Sequence, residues 1–421
     1  MKKFLLGTTA LVGILASASF ANAAEKAAPL TITLGGSVKA VYGLTNEDGD
    51  KNSRADSFYN DSDVKLRING TAAAGWKYGG RIKLQTNTAD TQNADNYLVF
   101  ASGSAGRLEV GNYGGASDRM AYYAPNKFGT GGIDGDYKEF IANNANSKAL
   151  GAGLPDGENS LGGLTEMFKA FDTDDASKVT YFTPRVAGFQ FGASYAPDTN
   201  GDQATAGNRG AEVTFVDSGK FVAGDTLGGA TRNQFEKAYE LGLNYVNNFG
   251  GVGVAVGATY VGGQAKKVVD TNATPESFSY EDLAAYQFGG QLSFQGWTLG
   301  GGYVFQGDSG LLKGDGAPKS DGQGYNLGLQ YETGPFVIGA NALWAENEGV
   351  QSTLTSPTAG NDEPRNQTLD VYSLGATYVV APGLSTFVEG TMFKYEPGQA
   401  KSSTVKDNEG TVVMLGTKLE F

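Results

Sequence analysis

Sixteen short segments in which apolar and polar side chains alternate, joined in turn by tight bends and long polar stretches, constrain this chain more than any motif in it. A period of two places successive side chains on opposite faces of a strand. The segments pair as 64–73 with 77–86, 96–101 with 107–112, 178–183 with 187–195, 237–246 with 251–261, 284–294 with 297–306, 323–331 with 335–345, and 368–380 with 384–396. A bend separates the two members of each pair, as at Gly75, Pro184-Arg185, Gln295-Gly296, Thr333-Gly334 and Ala381-Pro382-Gly383. Residues 31–44 (TITLGGSVKAVYGL) and 411–421 (TVVMLGTKLEF) complete the set. The final strand ends on Phe421 and would carry a bare hydrogen-bonding edge unless something paired with it. Pairing it with 31–44 closes a barrel.

An even number of antiparallel strands, with short turns at one end and long loops at the other, fits a bacterial outer-membrane barrel. Sixteen strands are enough to enclose an aqueous channel. The expected fold is all-β, a transmembrane antiparallel 16-stranded β-barrel, and no apolar run after the N-terminus is long enough for a membrane helix. A secreted sandwich has no reason to alternate its connection lengths. The composition agrees: 63 Gly, 21 Tyr and 23 Phe with only 12 Pro suit a wall of alternating strands. Lys2 and Lys3, the apolar stretch 4–18 and the small residues Ala21-Asn22-Ala23 read as a cleaved export signal. The expected organisation is therefore a signal peptide over 1–23 and a single barrel domain over 24–421.

The chain has no Cys and no His. Disulfide frameworks, thiolate chemistry, His-based hydrolysis and His-ligated zinc or haem are excluded. A net charge of −13 argues against nucleic acid as a partner. No cofactor is expected. Loop carboxylates offer hard oxygen ligands for calcium, but no EF-hand spacing exists.

Facing follows from the alternation. Tyr239, Leu241, Leu243 and Tyr245 should meet lipid, with Glu240, Gly242 and Asn244 in the lumen. Leu299, Tyr303, Phe305, Leu327, Leu329 and Tyr331 should also point outward. Aromatic residues near strand ends (Tyr42, Tyr195, Tyr245, Tyr260, Tyr303, Tyr331, Trp344, Tyr378, Phe421) suit the two membrane interfaces. In 384–396 an inward Glu389 turns Phe387, Phe393 and Tyr395 inward as well, which suggests a bulge or a subunit contact.

The lumen-facing charges of the first strands share one sign. Lys39, Lys65, Arg67, Lys77, Arg81, Lys83 and Arg107, with Lys418 brought alongside by closure, form a basic wall. Between the fifth and sixth strands, 113–177 is far longer than a turn requires. It carries Asp118, Asp134, Asp136, Glu139, Glu158 and Glu166. Folded inward, these acids would face the basic wall across a narrowed lumen and set up a transverse field. The acids of 45–63 are assigned to a loop at the pore mouth.

At this point the chain resembles the Gram-negative general diffusion porins. RLEVGNY (107–113) leads into a long third loop, and SKVTYFTPRVAGFQFGASYAP (177–197) follows with Tyr181, Pro184, Gly188, Phe189 and Tyr195 in the family's arrangement. Phe421 matches the family's terminal signal for the outer-membrane insertion machinery. The resemblance implies a homotrimer in outer-membrane lipid of a Gram-negative bacterium. It also implies a third loop folded into the pore and passive passage of small hydrophilic solutes and ions. A solute-specific, anion-drawing channel on the same barrel is the alternative. A barrel hydrolase would need a catalytic His that this chain lacks, so no enzyme is expected. A structural adhesin anchored by the barrel would show no permeation.

Overall fold

The computed structural model describes residues 28–48, 54–85, 94–141, 164–171, 173, 176–199, 213–215, 235–266, 268–270, 277–310, 313, 322–348, 366–396 and 407–421. The export signal, its cleavage site and Glu158 lie outside them. In chain order the strands are β1 (Ala28–Glu47), β2 (Asp56–Thr71), β3 (Lys77–Gln85), β4 (Ala94–Gly103), β5 (Gly106–Asn112), β6 (Lys178–Phe182) and β7 (Phe189–Asp198). There follow β8 (Val213–Phe215), β9 (Phe235–Phe249), β10 (Val252–Ala265), β11 (Val268–Asp270), β12 (Ser277–Phe278) and β13 (Leu283–Phe294). The last six are β14 (Trp297–Gly307), β15 (Gly322–Thr333), β16 (Phe336–Glu348), β17 (Asn366–Ala381), β18 (Leu384–Glu396) and β19 (Asn408–Glu420).

Every strand except β8, β11 and β12 joins one closed antiparallel barrel of sixteen, in the order β1-β19-β18-β17-β16-β15-β14-β13-β10-β9-β7-β6-β5-β4-β3-β2. The three short strands form a separate small sheet within the long connections. At the seam, β1 and β19 pair from Ser37↔Glu420 to Glu47↔Gly410. Gly36 and Phe421 then exchange backbone hydrogen bonds of 3.0 and 3.1 Å. Closure satisfies every ladder edge, which an apolar solvent demands. The bends are tight: Gly383, at φ 80°, turns β17 into β18, and a Cβ there would fall 2.3 Å from the Glu420 carbonyl oxygen.

The outer surface is apolar between two belts of rings. At the short-turn end, Phe189 packs on Tyr245 (4.7 Å between ring centres), Trp297 on Tyr331 (4.5 Å) and Phe336 on Tyr378 (4.8 Å). At the long-loop end the pairs are Tyr42–Phe58 (5.0 Å), Tyr286–Phe305 (5.0 Å) and Tyr303–Tyr325 (4.8 Å). Leu241, Leu243, Leu299, Leu327 and Leu329 are exposed between the belts, while Glu240 and Asn244 are buried on the other face.

Two expectations are corrected. β18 pairs with β19 without a break from Leu384↔Leu419 to Tyr395↔Asn408, and its one irregularity, against β17 between Val379 and Ala381, lies at the turn and away from Phe387, Phe393 and Tyr395, so a bulge is not what turns them inward. Phe387, Phe393 and Tyr395 do turn inward, and they are buried there in an apolar cluster with Val41, Leu343, Leu369, Val371, Val412 and Met414. The stretch 45–63 is not simply a loop either, because β1 runs to Glu47 and β2 begins at Asp56. Asp61 and Asp63 are strand residues on the inward face, opposite Lys39 and Ser37. A polar inner surface tolerates carboxylates in a strand when cations stand beside them.

Candidate functional site

The strand register fixes which charges share the inner face. Lys39 lies opposite Lys418, Lys65 opposite Lys83, and Arg67 opposite Arg81. Lys77 sits at the turn, opposite Thr71 and Ser102, and Arg107 lies opposite Ser102 and Phe182. Several of these cations have acidic neighbours. Lys39 contacts Asp136 at 2.8 Å and Asp61 at 3.8 Å, Lys65 contacts Asp63 at 2.9 Å, and Lys418 contacts Glu420 at 2.8 Å. Arg67 and Lys77 are exposed.

After β5 the described part of 113–177 forms the short helix α1 (Ala116–Met120) and three single turns, Gly132–Asp134, Asp136–Phe140 and Leu164–Glu166. Its backbone is held by side chains of the inward-facing set. Ala116 N donates to Ser194, Ala124 N to Asn326, Lys127 N to Gln330, Ile133 N to Asn341 and Ala170 N to Gln287, all between 2.8 and 3.0 Å. Short polar side chains on the wall thus supply the acceptors that an irregular buried backbone needs.

Two glutamates each take two more of these N–H groups, and neither has a cation within salt-bridge distance among the described residues. Glu240 accepts hydrogen bonds from Ser117 N (2.9 Å), Thr173 N (2.9 Å) and Thr173 Oγ1 (2.6 Å). Glu389 accepts from Thr130 N (2.8 Å), Gly132 N (3.1 Å), Thr130 Oγ1 (3.3 Å) and Thr391 Oγ1 (3.2 Å). Backbone dipoles and hydroxyls compensate these buried charges in place of a counter-ion. Between the polar anchors the contact is apolar. Ile133, Tyr137, Phe140, Leu164, Met167 and Phe168 join the cluster that contains Phe387, Phe393 and Tyr395. At Gly339 a Cβ would fall 2.2 Å from the Phe128 ring, so the wall needs glycine where that ring rests.

The acids of this segment divide by partner. Asp136 meets the wall at Lys39. Asp118 and Glu166 are matched within the segment, to Lys169 at 3.6 Å and Lys138 at 2.6 Å. Asp134 accepts from Asn126 Nδ2 at 3.0 Å, and Glu139 is exposed. Desolvation first, then Glu166 close by, pushes the Asp134 pKa up to about 6, with Lys169 and Lys138 pulling the other way. Asp134 nonetheless keeps contact with solvent, and that water screens the charge. Burial raises Asp136 as well, opposed by Lys39.

On β3 to β6 the geometry brings together residues that the basic pattern alone did not associate. Glu109 bridges Arg107 and Arg119. The Arg107 guanidinium stacks 3.8 Å from the Phe100 ring centre, Arg119 4.4 Å from Phe182, and Arg81 4.6 Å from Tyr113. Arg81 also donates to Tyr113 Oη at 2.6 Å. Glu109 was legible as the inward neighbour two positions after Arg107. Arg119 and Tyr113 lie outside the strands, where alternation carries no information about facing.

The sequence profile of a family described as Gram-negative porin matches residues 7–398. An uncharacterized protein of Rickettsia conorii is 25% identical over 381 residues, covering 82% of this chain and 80% of that one. One of Rickettsia felis is 26% identical over 384 residues, with the same coverage. Among solved structures, a loop L8 deletion mutant of OmpT, an outer membrane protein of Vibrio cholerae, superposes with a TM-score of 0.54 at 14% identity, covering 93% of this chain and 99% of that one. A mutant of the Rh. blastica porin does so at 0.50 and 14%, covering 93% and 100%. These structural likenesses bear on the fold. The profile match, over nearly the whole chain, places it in a family: the chain belongs to the Gram-negative porins.

Proposed function

We propose that this outer-membrane channel is a water-filled pore for passive diffusion of small hydrophilic solutes and ions, with 113–177 folded inside the barrel as its constriction. The observation that carries the reading is the partnership just described. The segment's backbone is bonded to inward side chains on β7, β9, β13, β15, β16 and β18, while the cations of β2, β3 and β5 keep access to water. A path along that wall would run between Arg67, Arg81 and Lys83 on one side and the acidic segment on the other. Opposed charges across a narrow aqueous gap orient passing dipoles and sort ions.

Export through a cleaved signal peptide, insertion by the outer-membrane machinery and assembly as a homotrimer belong to the same reading. They rest on the signal pattern of 1–23 and on family membership. Purified protein in planar bilayers tests it: current should rise linearly with salt, and liposomes carrying the protein should swell in small sugars. A barrel that conducts no ions and admits no sugar would remove the pore. The second reading, a channel specific for anions, is favoured by Arg67 and Lys77 standing exposed on the inner face. It would appear as a current that saturates and is blocked by one class of solute.

A further inference from the structure

We propose that a cavity at the short-turn end of the barrel is a subsite for a small neutral polyhydroxylated solute, a sugar or polyol, an inference that rests on the pore reading. The cavity holds about 460 Å³ and lies between the turns that join β9 to β10 and β13 to β14, bordered by Lys127 of the segment after β5 and Glu332 of β15. Small-ligand sites hold about 300–1,000 Å³ and occur preferentially in places such as the mouths of β-barrels. Small residues make the room here. At Gly253 a Cβ would fall 2.3 Å from Ser293 Oγ, and at Gly300 one would fall 2.6 Å from Gln291 Cγ. Ala255, next along the same face of β10 as Gly253, adds only a methyl group. Thr298 of β14 stands directly opposite Ser293, and such pairs hold their Cβ atoms about 5 Å apart. One solute can therefore meet both hydroxyls.

The lining has hydrogen-bonding capacity to spare. Ser293 is exposed and Thr298 half-buried, and neither hydroxyl has a hydrogen-bond partner among the described residues. Gln291 Nε2 donates to Tyr123 O at 2.8 Å, which fixes the amide and leaves its Oε1 as an acceptor. Glu332 Oε1 accepts from Lys127 Nζ at 3.0 Å and from Gln330 Nε2 at 2.8 Å, which leaves Oε2 open. Charge decides the class of solute. Among the described residues that line the cavity, Lys127 and Glu332 are the only ionisable side chains, and they neutralise each other. An anion or a cation therefore meets no net opposite charge. A planar base finds no platform either, because Phe294 and Trp297 border the cavity but belong to the outward set, where Trp297 stacks on Tyr331. What converges is two hydroxyls, an amide oxygen and a carboxylate oxygen. A polyol, which donates and accepts at every oxygen, matches that set.

Initial uptake of radiolabelled glucose into liposomes carrying the full chain tests this, with chloride current measured in planar bilayers on the same preparation. Uptake should saturate as glucose rises. Unlabelled sorbitol should compete, and glycine and inorganic phosphate should not. Ser293→Ala and Thr298→Ala should each raise the half-saturating concentration about fivefold, and Glu332→Gln about tenfold. Ala255→Leu, which fills the cavity, should abolish saturation. Heat-modifiable gel mobility of each variant would establish that the barrel has formed. Chloride current accompanied by glucose uptake that stays linear would overturn the subsite while leaving the pore intact. Saturation that survives unchanged in all four variants would overturn this location. Glycine or phosphate competing as strongly as sorbitol would overturn the assignment to neutral polyols. A protein that passes no chloride removes the pore reading. Calorimetric titration of the solubilised protein with glucose then decides the subsite alone, and absence of heat would overturn it.

Discussion

The inner surface of one barrel does two different jobs in two sectors built by the same alternation. From β16 through β19 to β1, inward positions hold Leu343, Val371, Phe393, Tyr395, Met414 and Val41, which are buried against Ile133, Tyr137 and Phe140 as in any protein core. On β2 to β5 the equivalent positions hold Lys65, Arg67, Arg81, Lys83 and Arg107, which stay in contact with water or with ring faces. Inward facing in a barrel of this width therefore does not specify wet or dry. What covers the wall specifies it, and the difference should be measurable.

The largest effect should separate the sectors by stability. Phe393→Ala removes a fully covered ring from the apolar side and should cost about 3–5 kcal/mol, read by chemical unfolding of the refolded barrel. Arg67→Gln, on the open side, should stay within about 0.5 kcal/mol of the parent. Equal costs would erase the distinction.

Next is the clamp on the apolar side. Glu389→Ala strips the acceptor from the backbone N–H groups of Thr130 and Gly132, each left unpaired at about 1–3 kcal/mol. The segment should loosen, with larger single-channel conductance and faster proteolytic cleavage within 113–141. Wild-type conductance together with wild-type protection would show that Glu389 does not hold it.

A smaller change is expected on the open side when charge alone is altered. Combining Lys65→Gln, Arg67→Gln and Lys83→Gln should move the reversal potential in a salt gradient toward cations with little change in stability. An unmoved potential would mean that ions do not pass this wall.

The smallest effect should come from protons. The docked state holds the Asp134 proton more firmly than a free chain would, so this carboxyl favours docking most at acid pH, and its contribution fades as pH rises through about 6. Acidification through the same range removes a negative charge from the segment and should shift selectivity slightly toward anions. Asp134→Asn should abolish that drift in reversal potential.

How far the sequence could be read follows from which forces are local. The bends and alternating segments depend on neighbours a few residues away, so Gly296, Gly334 and Gly383 and the outward leucines were legible directly. The start of β2 was hidden because residues 56–63 show no apolar-polar alternation, with polar residues on both faces around Phe58 and Tyr59, and only pairing with β1, Leu44↔Asp56 onward, makes them a strand. Phe387, Phe393 and Tyr395 looked anomalous because alternation reports direction and cannot report what lies opposite. The match between Asp136 and Lys39 spans 97 residues and depends on where an irregular segment comes to rest. No short-range rule reaches that far. For the same reason the partners of Asp118 and Glu166 inside the segment could not be foreseen.

One carboxylate has an effect beyond its own hydrogen bonds. Glu240 grips residue 117 on the way out and residue 173 on the way back, so two points far apart in sequence are tied to one carboxylate. The entropy of bringing the two limbs together is met at that knot, and lengthening the chain beyond it adds only a slowly growing penalty. Insertions or deletions between the two tied points and away from the segment's contacts with Gln287, Asn326, Gln330, Asn341 and Glu389 can then accumulate over evolution without moving the wall or the residues seated on it. The register of the wall and the length of the sequence between those two ties are then free to vary separately.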